Sequence, residues 1–230
     1  MAIALPVWVA GGFILAQVVV SALVSGLRAV GVSFVSLNES LFQTMASVVI
    51  YIVAILIVIG VPWAVKKFRT SRGELGFGTH MTWMDLLLAP AGFVVYALLS
   101  AALTAIAMHF PFYNVDQVQD TGFAQLSHSY EYILAFFTLV IVAPVCEETL
   151  FRGYLLGKLR KYLPIWISIL ITSLVFAILH LEWNVGVDVF ALSIVLCLLR
   201  VGTGRLWPSI LLHMIKNGIA FFYLFINPLL

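Results

Sequence analysis

The sequence contains few charged residues. Of its 230 residues, only 10 are Asp or Glu and 12 are Lys or Arg, and the mean hydropathy is +1.12. Hydrophobic residues make up 63% of the chain, which lies outside the range of soluble globular domains. The formal net charge of +2 is close to neutral and predicts no nucleic-acid partner. This composition indicates a polytopic membrane protein.

Cysteine is also scarce. Cys146 and Cys197 both lie within apolar runs, so neither a disulfide framework nor a thiolate metal site is predicted. The apolar runs are continuous and do not alternate with polar residues, which excludes a porin-like barrel. The first run lacks a basic n-region and is about twice as long as a signal-peptide core, so we expect it to be retained as a span.

At about 20 apolar residues per span, the chain accommodates about seven helices. We therefore predict an all-α fold, a polytopic transmembrane helical bundle of about seven spans. No internal repeat is visible, which favours one integral membrane domain. Within it, residues 1–80 form an N-terminal transmembrane hairpin with a basic cytoplasmic loop, and residues 81–230 form a transmembrane core. Hydropathy places the spans at 6–30, 41–65, 84–108, 131–157, 164–182, 186–201 and 206–226.

The distribution of basic residues predicts the orientation. The loop "KKFRTSRGELG" follows the second span, and the positive-inside rule places it in the cytoplasm. The connection 109–130 has no Lys or Arg, as expected of an outside loop, and Arg28 is the one basic residue placed near the outer side. The basic residues that share the cytoplasmic face are Lys66, Lys67, Arg69, Arg72, Lys158, Arg160, Lys161, Arg200 and Arg205.

Two adjacent acids interrupt the fourth predicted span, in "EETLFR" at 147–152. An ionisable residue at the bilayer centre costs at least about 2.5 kcal/mol, so each one suggests a functional role and needs a partner. Glu148 and Arg152 have the favourable four-residue spacing of a helical ion pair. Glu147 is left over, about 100° round the helix. Two carboxylates this close in a poorly solvated site are not readily both charged, and a carboxylate that accepts a proton readily suits a general base.

Two further polar clusters follow. In "FAILH", His180 ends an apolar run, with Phe176 one turn back on the same face. In "HMIKN", His213 and Asn217 share a face of the last span, and their side chains offer donors for an oxyanion. Lys216 is expected to point elsewhere and to extend toward the interface.

Each cluster also has a purely structural interpretation. Glu148 with Arg152 can be a structural ion pair, His180 a packing hydrogen-bonder, and Asn217 a helix–helix contact. Convergence on one cavity would give these residues partners, whereas scattered positions would leave each one unpaired. The sequence therefore predicts that Glu147, His180, His213 and Asn217 meet.

Together, the three motifs resemble the CPBP family, which comprises CAAX prenyl endopeptidases of the Rce1 type and bacterial relatives linked to bacteriocin processing and self-immunity. The resemblance covers about residues 130–220, includes "GRLWPSILLHMIKN", and extends weakly to "ELGF" at 74–77. It marks 81–230 as a CPBP-like core. It implies that Glu147 activates a water with help from His180, while His213 and Asn217 stabilise the oxyanion. Glu148 and Arg152 would orient the base.

The resemblance implies hydrolysis of a peptide bond in a membrane-associated protein or peptide, with no cofactor. Chain size and the lack of a retention signal favour a bacterial plasma membrane. Because bacteria generally do not prenylate proteins at such boxes, a prenylated substrate is not favoured. The active site is expected toward the cytoplasmic side. The partners are then the bilayer and the substrate; the sequence does not fix the oligomeric state. Two other chemistries remain open: a zinc site formed by Glu147, His180 and His213, and a thiol nucleophile at Cys146.

A different class of function is a non-catalytic membrane immunity or scaffold protein. In it, the polar residues of the three motifs would serve only as structural contacts between helices, an interhelical lock. A transporter is a third class, but no pair of spans shows the broken, repeated pattern typical of inverted-repeat carriers. Every residue of the three motifs is present in this sequence, which favours the endopeptidase over the non-catalytic protein.

Overall fold

The computed structural model describes residues 3–34, 38–66, 69–111, 113–114, 126 and 128–226. The described residues form helices and connecting segments, with no strand among them. The helices are α1 (Ala4–Ala29), α2 (Glu39–Val65), α3 (Arg72–Leu75), α4 (Trp83–Ala107), α5 (Ser129–Leu159), α6 (Ile165–Ile178), α7 (Trp183–Thr203) and α8 (Trp207–Ile226).

Six of these helices are long and apolar enough to cross a membrane, and α6 is a shorter apolar helix. The predicted all-α bundle of about seven spans is confirmed. The largest boundary differences lie at α6, which ends at Ile178 rather than near 182, and at α7, which begins at Trp183 rather than 186. Leu181, between them, has a φ of 63°, a left-handed conformation that no helix continues through.

Three apolar clusters among the described residues hold the bundle together. One joins α1 and α2 to α5, α6 and α7, with Val9, Val58 and Leu150 fully buried in it. A second joins α4, α7 and α8 around Leu196 and Leu212. A third, smaller cluster joins α5 and α8 around Ala135 and Phe221. The N-terminal hairpin thus packs directly on the later helices, and the division at residue 80 stays a prediction.

The basic residues do more than mark an orientation. Arg205 pairs with Asp85 at 2.9 Å, and the buried Arg200 donates to the backbone oxygen of Glu74 at 2.9 Å. In the last turn of α1, the Arg28 guanidinium carbon lies 5.6 Å from the ring centre of Phe42. Lys67 and most of the connection 109–130 lie outside the described residues, as does the side chain of Lys66.

The short helix α3 joins the basic loop to the core. Ser71 and Glu74 form a reciprocal capping box at its start. Gly76 ends it with a φ of 96°, and its carbonyl accepts from the Leu206 amide at 3.0 Å. A Cβ on Gly76 would lie 2.9 Å from the guanidinium carbon of Arg200. This position therefore requires glycine for both its conformation and its contact.

We expect Gly76→Ala to destabilise the protein by about 1–3 kcal/mol, because it adds strain at a positive φ and a clash with Arg200. The measurement is the thermal unfolding midpoint in detergent. Gly202→Ala is the matched control, since its Cβ would meet open space on a helix. Equal midpoints for the two variants would contradict the role assigned to Gly76.

Candidate functional site

The acidic pair lies where α5 changes its winding. The segment Ala143–Glu148 is regular α-helix, and it lies between π-helical segments at Phe137–Val142 and Thr149–Leu155. Wider π-helical turns shift the direction of the following side chains and occur frequently at functional sites. The sequence analysis did not predict this change of winding. Pro144, just before the acids, is the one local signal of irregularity.

Glu148 is fully buried and contacts the side chains of Arg152 and His213. Its Oε1 accepts from Arg152 Nη1 at 2.9 Å, the four-residue pair that the spacing predicts. The same oxygen lies 2.9 Å from Nδ1 of His213 on α8, a contact that the sequence analysis missed. Because a carboxylate only accepts, Nδ1 carries the proton in this hydrogen bond. Glu148 therefore fixes the orientation of the His213 ring.

Glu147 occupies the more accessible position. Its side chain is 13% exposed, against 0% for Glu148. Its Oε2 lies 3.8 Å from Nε2 of His213, and its Oε1 accepts from the Tyr51 hydroxyl at 2.5 Å. Sequence analysis missed Tyr51, although a phenol in the middle of an apolar span is itself a signal. Glu147 thus has a neutral donor on one oxygen and an imidazole near the other.

His180 lies in the turn after α6. Its Nδ1 is 2.8 Å from the carbonyl oxygen of Phe176, so Nδ1 donates and Nε2 remains available. The predicted proximity of Phe176 and His180 is confirmed, with ring centres 5.0 Å apart. The Phe176 ring also lies edge-on to His213 and 4.2 Å from the Arg152 guanidinium carbon.

Asn217 is positioned by a helix–helix hydrogen bond. Its Nδ2 donates to the backbone oxygen of Leu139 at 2.9 Å, within the first π-helical segment of α5. This contact matches the structural interpretation of an isolated Asn, and it occupies one of the two amide hydrogens. The second hydrogen remains for another acceptor.

Lys216 was predicted to point elsewhere, and this prediction is wrong. Its ammonium lies 3.7 Å from Oδ2 of Asp188 on α7. Asp188 in turn accepts from Tyr96 and Ser100 on α4, at 2.7 and 2.6 Å. The Asp188 carboxylate attracts the ammonium, and Lys216 lines the same cavity as His213 and Asn217.

The four residues predicted to be catalytic, Glu147, His180, His213 and Asn217, line one cavity of about 340 Å³, whereas the predicted supporting residues Glu148 and Arg152 do not line it. It lies among α2, α5, α6, α7 and α8. Its apolar wall continues along α8 beyond Asn217, toward the end of the bundle that lacks the basic loops. Cys146 does not line it. The cavity is bounded by Glu147, His180, His213, Asn217, Tyr51, Lys216 and Phe176, among others.

The arrangement of the side chains bears on the alternative of a zinc site formed by Glu147, His180 and His213. Among the described residues, no group of three His, Cys, Asp or Glu side chains is arranged to hold a metal ion. Nδ1 of His213 and Nδ1 of His180 are both engaged by protein oxygens, which leaves each ring its Nε2.

Comparison with known proteins supports the same part of the chain. Residues 129–219, about two fifths of the sequence, match the Rce1-like family, described as "Type II CAAX prenyl endopeptidase Rce1-like". The match includes all six predicted site residues and leaves out Tyr51. The six are Glu147, Glu148, Arg152, His180, His213 and Asn217. No solved structure matches the chain.

Three curated bacterial proteins are similar to the chain. An "Uncharacterized 24.3 kDa protein" of Escherichia coli is 37% identical over 87 residues, which is 36% of this chain and 40% of that protein. The "Membrane-embedded CAAX protease MroQ" of Staphylococcus aureus is 29% identical over 98 residues, 40% of each chain. YdiL of Bacillus subtilis is 25% identical over 176 residues, 76% of this chain and 69% of YdiL.

The matches to the first two relatives span about two fifths of their length. The family match covers the helices that carry the polar motifs. The resemblance predicted from those motifs is confirmed: residues 129–219 are similar to the Rce1-like type II CAAX prenyl endopeptidases.

Proposed function

We propose that this chain is an intramembrane endopeptidase that hydrolyses a peptide bond with a water activated by Glu147. The observation that carries the proposal is the placement of Glu147 Oε2 and His213 Nε2, 3.8 Å apart on one cavity inside the bundle. The match to a family of prenyl endopeptidases and the name of MroQ support a membrane peptidase.

The first step is attack by water on the scissile carbonyl. Glu147 takes the proton from the water, and the resulting hydroxide adds to the carbonyl carbon. The Tyr51 hydroxyl holds Oε1, so Oε2 is the oxygen directed to the water. His180 assists through Nε2, because its Nδ1 is engaged by the Phe176 carbonyl.

The tetrahedral intermediate carries a negative oxygen that needs donors. His213 supplies Nε2–H when its ring is protonated, and Glu148 holds that ring in place through Nδ1. Asn217 supplies its second amide hydrogen. The proton held by Glu147 then passes to the leaving amine, the C–N bond breaks, and the free carboxylate of Glu147 is restored. No covalent intermediate with the protein forms.

The environment of the cavity suits a membrane-delivered substrate. Phe176, Val189 and Leu192 give it apolar walls, and the surrounding helices are membrane spans. We propose a peptide or protein segment of a bacterial plasma membrane as the substrate. The prediction of an active site toward the cytoplasmic side rests on the basic loops alone, and the cavity continues along α8 toward the opposite end of the bundle.

One observation favours a second candidate function. Glu148, Arg152, His213 and Asn217 all make interhelical or intrahelical contacts that would be useful without chemistry. A non-catalytic immunity or scaffold protein would use them as a lock between α5 and α8. The two functions differ in what they require of Glu147, because the peptidase needs its carboxylate to accept a proton and the lock does not.

We expect Glu147→Gln to lower cleavage of a membrane-delivered peptide library by at least about 100-fold, because an amide accepts no proton from water. Cleavage is measured by mass spectrometry on the purified chain in liposomes. Glu39→Gln, an exposed acid at the start of α2, is the matched control. A Glu147→Gln variant with parental activity would refute the role of Glu147.

The same assay separates the alternatives. If a strong chelator abolishes cleavage and zinc restores it, the metal mechanism is favoured. If the parent chain cleaves nothing in the library while Glu147→Gln keeps a protective phenotype in cells, the interhelical lock is favoured.

The two acids should also differ in their effects on stability. Glu148→Gln leaves the guanidinium of Arg152 buried without a counter-charge, and we expect a loss of about 3–5 kcal/mol. Glu147→Gln keeps a group that accepts from Tyr51, so we expect a loss below about 1 kcal/mol. Thermal unfolding midpoints in detergent measure both effects. A larger loss for Glu147→Gln would reverse the assignment of supporting and reactive acid.

A further inference from the structure

The basic end of the bundle contains a second cavity, about 330 Å³ in volume, between α3, α5 and the end of α7. Glycines at 73, 153, 157 and 204 form part of its wall and leave room close to the backbone. Four cationic residues line it, with Glu74 as the single acid among the described lining residues. The cations are Lys158, Arg160, Lys161 and Arg200.

Glu74 neutralises only part of this positive charge. Its Oε1 lies 2.6 Å from the Lys161 ammonium and 3.8 Å from that of Lys158. The hydrogen bond from Lys161 lowers the pKa of Glu74 to about 2, so this carboxylate is ionised at neutral pH. Arg160 is exposed and forms no ion pair with a carboxylate of the described residues.

Arg200 is built into the wall of this cavity. Its guanidinium donates to the backbone oxygens of Glu74 and Gly204, neutral acceptors that leave its charge uncompensated. Its Nε is buried and has no hydrogen-bond partner among the described residues. Four cations thus face one carboxylate, and an anion in the cavity would supply the missing negative charge.

An apolar groove of about 430 Å³ adjoins the cationic cavity. It runs between α1, α2 and α5, and Leu5, Trp8, Val61, Pro62 and Tyr154 are among its lining residues. The two spaces share Thr70, Glu74, Lys158 and Lys161 as lining residues, so they lie next to each other. Arg69 adds a fifth cation where the groove meets the basic end.

We propose that these two spaces form one binding site for an anionic phospholipid, with the phosphate in the cationic cavity and an acyl chain in the apolar groove. The site lies at the end of the spans that carries the basic loops, at the depth of lipid headgroups. Basic pockets between membrane helices are suited to anionic headgroups. The aromatic rings of Trp8 and Tyr154 are of the type enriched at that depth.

The shape of the site distinguishes this ligand from its nearest alternatives. Inorganic phosphate would use the cationic cavity and leave the groove without a role. A zwitterionic lipid would bring an ammonium group, and the one carboxylate that could receive it is already paired with Lys161. The anionic phospholipid uses both the surplus charge and the groove.

The site also contacts the candidate active-site helix. Gly153 in the cavity wall follows Arg152 directly, and its Cβ position is 3.0 Å from the Leu75 carbonyl. A bound headgroup would thus bridge α3, α5 and α7 and should raise the stability of the folded chain. This inference does not rest on the proposed peptidase activity.

The test uses the full chain, purified in neutral detergent and stripped of lipid. Its thermal unfolding midpoint is titrated with phosphatidylglycerol, with phosphatidylcholine and with inorganic phosphate. We expect phosphatidylglycerol to raise the midpoint and the other two to leave it unchanged. Inorganic phosphate acting equally well would overturn the lipid assignment, and phosphatidylcholine acting equally well would overturn the role of charge.

Variants locate the site. Arg160→Gln and Arg69→Gln each remove an exposed cation and should weaken the apparent affinity for phosphatidylglycerol about fivefold. Arg28→Gln, which removes one charge at the opposite end of α1, should leave it unchanged. An equal loss in Arg28→Gln, or no loss in both of the other variants, would refute this location.

Discussion

The buried carboxylate of Glu148 is the interaction on which the site depends. One of its oxygens contacts Arg152 on the same helix and His213 on α8, and Arg152 lies over the ring of Phe176 on α6. Three helices are thus held in one register by a single acid. Taking an ion pair out of water is costly, and removing one partner costs more because the other charge remains buried. Glu148 therefore fixes the orientation of the His213 ring on α8.

Two other acids of the bundle have cationic partners among the described residues. Asp85 pairs with Arg205, and Asp188 has two hydroxyl donors and the Lys216 ammonium. Glu147 differs because its close partner is a neutral phenol and its imidazole neighbour is 3.8 Å away. Glu147 is thus the acid of the pair that has no fixed cation in short contact among the described residues, and this difference underlies the base role proposed for it.

Local contacts and the convergence of the polar motifs could be predicted from the sequence, but the individual hydrogen bonds between helices could not. The spans follow from hydropathy, and the pair Glu148–Arg152 follows from a four-residue spacing on one helix. The contact of Glu148 with His213 joins positions 65 residues apart, and that of Tyr51 with Glu147 joins positions 96 apart. Both contacts depend on how each helix is rotated about its own axis and how deep it lies in the membrane, and hydropathy determines neither. The π-helical turns of α5 add to this uncertainty, because they rotate the side chains that follow them.

The position of His180 follows from the shortness of α6. With 14 residues, this helix spans about 21 Å, less than the apolar thickness of a typical bilayer. The chain therefore turns back through Leu181 while still among the other helices, and the last carbonyls of α6 need donors there. His180 supplies one by donating Nδ1–H to Phe176. Irregular backbone at membrane depth is tolerated where it lines a cavity, and here it does. The hydrogen bond that satisfies the helix end also fixes the tautomer of His180, so one local backbone requirement determines which ring nitrogen remains available for chemistry.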